Sequence, residues 1–158
     1  MIRRALLLAS AAALAGCASA PRTPKAREDF WSGRMALRVD STPPQSFSAS
    51  FELQGRPEQG HLTLSTALGT TLAKLVWSAS GAEMQQGTQV TKRDHVDALM
   101  AELIGAAVPM QALFAWIRGE SALVAGWQTD LTQRTDGRLT ARRFEPLPTA
   151  ELRLIIEP

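Results

Sequence analysis

The sequence predicts a mainly β (α+β) fold, a curved antiparallel sheet with a helical plug or lid. Three observations carry this. Beyond residue 30 apolar and polar residues alternate with period two through most segments, the pattern of strands with one buried face. Short turn signals separate those segments. The alternation gives way between Thr91 and Gly119 to two stretches with helical spacing. A large sheet with a single apolar face must curl around something, and 158 residues suffice for one domain with its own core.

The elements follow in order. "GRMALRV" points Met35, Leu37 and Val39 one way and Arg34, Ala36 and Arg38 the other. "SFSASFELQ" sets Phe47, Ala49, Phe51 and Leu53 against serines, Glu52 and Gln54, and "HLTLS" sets Leu62 and Leu64 against His61, Thr63 and Ser65. "GRPEQG" between these two is a hairpin turn signal, and so is "TDG", Thr135 to Gly137. "TTLAKLVWS", "AEMQQ", "GWQTDLTQ", "GRLTARRFE" and "ELRLII" complete a set expected to hold eight to ten strands.

The helical interruption starts with "TKRDHVDALMAELIG". Thr91 to Asp94 reads as a capping box, Val96, Leu99, Met100, Leu103 and Ile104 share one face, and Gly105 is the stop. "VPMQALFAWIRG" places Pro109 at a helix start, Met110, Leu113, Phe114 and Ile117 on one stripe, and Gly119 at the end. Each helix offers one apolar face, and the economical place for both is the concave side of the sheet.

The amino terminus has a separate logic. Arg3 and Arg4 precede an apolar run, Ala5 to Ala15, of 11 residues. That is short of the roughly 20 a membrane-spanning helix needs, and reads as a secretory signal over residues 1–16. The run ends in Leu14-Ala15-Gly16-Cys17, which resembles the lipobox of bacterial lipoproteins. The resemblance implies cleavage before Cys17, the only cysteine, and a covalent lipid on its thiol. Two or three acyl chains make a stable anchor where one is marginal. By the same analogy Ala18, in place of the aspartate that retains lipoproteins in the inner membrane, points to the outer membrane. Residues 17–28 then form the lipidated cysteine and a flexible tether, "ASAPRTPKARE", with a reach of roughly 20 Å, and residues 29–158 form the folded domain.

Composition narrows the function. The formal charge of +2 loses Arg3 and Arg4 with the signal, leaving 15 of the 17 basic residues against 15 acidic ones. A neutral mature chain gives no electrostatic case for nucleic acid. There is no phosphate loop, dinucleotide turn or nucleophile elbow. His61 and His95 have no partner at metal-ligand spacing and read as surface residues. The carboxylates are scattered and tyrosine is absent, so nothing asks for an enzyme, a metal or a cofactor other than the lipid.

Apolar side chains are what remains. Phe30, Trp31, Phe47, Phe51, Trp77 and Met84 on the strands, with Leu99, Met100, Leu103, Leu113 and Trp116 on the helices, are candidates to line one interior. A filled core and a partly open cavity for an apolar ligand both need them there, and periodicity leaves the two readings open.

Several stretches, in order, resemble the LolB family of outer-membrane lipoprotein receptors. These are "FWSGRMAL", "FSASFEL", "LTLSTALGTTLAKL", "DALMAELIGAAVPMQALFAWIRG", "GWQTDL" and "PLPTAELRLII", from Phe30 to Glu157. The resemblance implies an unclosed β-barrel covered by helices over an apolar cavity for acyl chains, with Met35, Leu37, Leu62 and Leu64 added to the lining. It implies acylated lipoproteins as cargo, a soluble periplasmic carrier of the LolA kind as partner, a monomer, and no nucleotide. Leu68 in "STALGTT" falls in the loop where the family displays an exposed leucine, which implies a membrane-insertion loop. A leucine folded back on the sheet edge is the plainer reading of Leu68. Ala67 stands where the family often has proline, the second strand is less aromatic than usual, and the segment between Gly119 and Trp127 is short. A structural or assembly envelope lipoprotein with a filled core, and a tethered hydrolase, are the readings from other classes.

Overall fold

The structure, a computed structural model, describes residues 29–158. The signal segment, Cys17 and the tether over 17–28 lie outside the described residues.

Among the described residues nine antiparallel strands form a single sheet. β1 (Phe30–Val39), β2 (Gln45–Arg56), β3 (Gln59–Ser65), β4 (Thr71–Ser78), β5 (Gly81–Gln86) and β6 (Gln89–Arg93) follow as a meander. After α1 (Val96–Ile104) and α2 (Met110–Arg118) the chain returns in β7 (Trp127–Asp130), β8 (Arg138–Arg143) and β9 (Ala150–Ile156). The sheet order is β6-β5-β4-β3-β2-β1-β9-β8-β7, so β9 docks on β1, and β6 and β7 are edges that do not pair with each other. The barrel is unclosed.

Register puts the alternation to work. Met35 lies opposite Ala49 on one side and Leu154 on the other, and Phe51 lies opposite Leu64. Each such row is buried, whereas Arg34, Ser50 and Ile155 form a row on the outer face. Curvature brings the inner rows round the two helices. α1 lies close on β4, β5 and β6. α2 meets the sheet through large side chains: the Phe114 ring packs edge-on to Trp31 and Trp77, at centroid distances of 5.6 and 6.2 Å.

Two local expectations are corrected. Thr91 to Arg93 belong to β6, so the capping box is not formed; His95 is the N-cap of α1 and makes no side-chain cap. The competing β5–β6 hairpin supplies ladder hydrogen bonds to a segment of weak helical pattern. Phe30 is 56% exposed at the start of β1 and does not line the interior. The "TDG" signal does fall in the turn that joins β7 and β8, a 3-10 turn, Arg134–Asp136, closed by Gly137 at φ 75°. The stops at Gly105 and Gly119 stand as expected, both in the left-handed region that glycine tolerates.

Candidate functional site

The concave interior is apolar and is filled by the helices. Met35, Leu37, Phe51, Leu62, Leu64, Trp77 and Met84 from the sheet are buried in one cluster with Leu99, Met100, Leu113 and Trp116 from the helices. Phe47 and Leu103 are half-buried at its margin. α2 is more enclosed than a one-stripe helix. Ala112 and Trp116 are buried as well as the expected stripe, because the sheet wraps past the single face that periodicity marks. Among the described residues, sequence reasoning missed Leu139, Ala141, Leu152 and Leu154 as part of this interior; their period-two phase in β8 and β9 was the signal.

Both ends of α2 are held by groups from elsewhere. The Asp97 carboxylate, in the first turn of α1, accepts the Met110 backbone N–H at 3.0 Å. It supplies the cap that Pro109, the N-cap residue, lacks. Arg134 donates from Nε to the carbonyl of Ile117 in the last turn. The helix pair is thus cross-tied, and α2 is tied to the β7–β8 connection.

Leu68 sits at the tip of the β3–β4 loop and is 94% exposed. The loop is a tight one. Gly69 N–H donates to the Thr66 carbonyl at 2.9 Å, Thr66 N–H to the Thr70 carbonyl at 2.8 Å, and Thr70 N–H to Thr66 Oγ1 at 3.1 Å. Gly69, at φ 84°, completes the turn. The bonds project Leu68 outward, so the folded-back reading does not hold. Leu123 and Leu147 are also exposed, each in an irregular segment that alternation does not flag.

Two grooves adjoin these features. One, of about 450 Å³, lies on the outer face of β1, β2 and β9 and has Ala67 as one wall and Arg34, Ser50 and Arg153 among its lining. The other, of about 820 Å³, runs beneath the outer side of α2, between Pro109, Ala112 and Ala115 and the segment bearing Leu123. On the outer sheet face Glu151 bridges Arg142 and Arg153, each at 2.6 Å. The hydrogen bond from Arg142, supported by Arg153, holds its carboxyl below the usual carboxylate range.

Among the described residues one charged side chain is buried. Arg143 continues the buried phase of Leu139 and Ala141, a departure visible in "RLTARR" but not recognised as a site by sequence reading. Burial pushes its guanidinium below the ordinary arginine value, and arginine stays charged regardless. His61 and His95 are both exposed, as expected.

The chain is similar to known proteins over most of the described residues. A family model described as LolB, outer membrane lipoprotein LolB, matches residues 30–145, which is β1 through β8. A protein of Chromobacterium violaceum named outer-membrane lipoprotein LolB is 30% identical, with 75% of this chain and 69% of that protein aligned. Proteins of the same name from Bordetella petrii and Dechloromonas aromatica are each 30% identical. The alignments cover 92% and 80% of this chain, and 87% and 79% of those proteins.

Proposed function

Because this chain belongs to the LolB family of outer-membrane lipoproteins, we propose that it accepts acylated lipoproteins from a soluble periplasmic carrier and inserts them into the outer membrane. It works from the outer membrane itself, on the periplasmic side. The observation that carries the reading is the coincidence of this family match with an unclosed sheet whose whole apolar face is turned inward. Cys17 carries the lipid anchor, and residues 17–28 let the domain reach both a carrier and the bilayer.

The interior is the cargo site. In the described conformation α1 and α2 occupy it, so acyl chains enter by taking the place of helix side chains against Phe51, Leu64, Trp77 and their neighbours. Apolar surface exposed by the helices is reburied against hydrocarbon, which keeps the exchange close to balanced. The reading includes a LolA-like carrier, a monomeric receptor and no catalytic step. A gain of ~1.4 kcal/mol at each handover would bias transfer about tenfold. Nucleotide hydrolysis is not needed for such a downhill sequence.

Binding is the test. The soluble chain, with a hydrophobic fluorophore in the interior, should lose the signal saturably as an acylated lipoprotein is added, while the same lipoprotein without its acyl chains should leave the signal unchanged. Absence of displacement favours a filled-core structural lipoprotein. In cells, depletion should leave carrier-bound lipoprotein in the periplasm.

A further inference from the structure

Behind the edge strand β7 the interior holds two hydrogen-bond donors that no described protein atom satisfies. Trp116 Nε1 and Arg143 Nε are both buried without an acceptor. They belong to one neighbourhood. The Trp116 and Trp127 rings lie 5.7 Å apart, and Trp127 is the cross-strand partner of Arg143. Arg143 is 7% exposed, and its Nη2 donates to the Pro148 carbonyl at 2.9 Å, which fixes the guanidinium in place. Among the described residues no carboxylate pairs with it.

Buried donors left unpaired are costly and uncommon. The other fully packed indole shows the ordinary solution: Trp77 Nε1 donates to the carbonyls of Pro57 and Arg56, at 2.9 and 3.1 Å. Trp116 has no counterpart to these, and a buried cation adds a second demand beside it. Both groups only donate. The partner that suits both is therefore an acceptor able to enter an apolar surround.

This step rests on the proposed function, in which acyl chains occupy the interior. An acyl chain is hydrocarbon except at its carboxyl end, where an ester or amide carbonyl accepts hydrogen bonds. We infer that Trp116 Nε1–H and Arg143 Nε–H bind the ester or amide carbonyl oxygens of the cargo's lipid-modified amino terminus. The interior then reads the acyl linkage as well as the hydrocarbon. Placing the carbonyls beside β7 sets the chains inward and the cargo polypeptide outward at the open edge of the sheet.

The experiment compares two ligands that differ only in those carbonyls. The full mature chain with Cys17→Ala is titrated with a diacylglyceryl-cysteine lipopeptide and with its dialkyl ether analogue. The expected result is a preference for the ester of roughly five- to tenfold per donor engaged. Trp116→Phe keeps an aromatic ring and removes one donor, so it should reduce the ester-to-ether preference, read as the ratio of the two affinities measured on the same variant. Arg143→Met should do the same, and Arg143→Lys should restore part of it. In the infrared, the ester carbonyl band of bound lipopeptide should lie at lower frequency in the parent chain than in Trp116→Phe. Equal binding of ester and ether by the parent chain overturns the inference and leaves the receptor reading standing. Binding of neither ligand overturns both.

Discussion

Leu68 is held out from the sheet by three hydrogen bonds of its own loop, so its exposure is built in. In the receptor reading it enters the lipid surface, where burying a leucine is worth about 2 kcal/mol. Leu68→Glu should leave cargo binding intact and slow insertion into vesicles roughly tenfold or more. Unimpaired delivery would remove the loop from the mechanism. At Glu151 the depressed pKa makes a prediction about acid. A carboxyl whose folded pKa lies below its unfolded value stabilises the fold above the unfolded pKa, and that contribution is lost as pH falls through the folded pKa. Glu151→Gln should therefore cost a modest amount, roughly 0.5–1 kcal/mol, near pH 7. Urea denaturation of parent and variant should converge as pH drops below 4, about the ordinary glutamate value. An undiminished difference in acid would show that the bridges contribute nothing. Arg143 marks where residue-scale reading ran short. Its inward phase was plain in "RLTARR", but an arginine on an apolar face is ordinarily taken for a strand end. Only the register with Trp127 and Ala150 shows it enclosed.

Among the elements, the helix pair depends on a contact that crosses it. Asp97 caps α2 from α1, so Asp97→Ala should lower stability by about 1 kcal/mol. Hydrogen exchange should rise in the first turn of α2 and less in the sheet; uniform acceleration would mean that the cap serves the whole domain equally. Asp97 had the right neighbours in sequence for a first-turn acid, but its partner is 13 residues away, beyond any local pattern. The strands were legible for the opposite reason. Seven of them bury alternate residues and β7 half-buries its own, and burial imposes period two on the composition. β6 escaped because neither of its faces is buried: Val90 is exposed and "QVTKR" has no apolar phase to read. A segment that pays no burial leaves no periodic trace, and the helical reading extended over it by default.

For the molecule as a whole, the likeness to the family, the one-sided sheet and the helix pair were all readable from sequence. Whether the interior stood open or filled was not, because both arrangements bury the same residues. The structure closes the interior with Phe114 and Trp116, and in the proposed reading cargo binding is then an exchange of partners. Such exchange needs a container whose wall can move.

The unpaired edges supply that freedom. In a closed barrel the strand number and stagger set the diameter, and widening it breaks a ladder. Here β6 and β7 end the sheet without meeting, so the girth can expand or contract by changing twist alone, with every interstrand bond kept. Their exposure to edge-to-edge pairing is limited by Lys92 and Arg93 on β6 and by the four-residue length of β7. In the proposed reading the gap in the wall is an expansion joint, by which one receptor holds cargo bearing two chains or three.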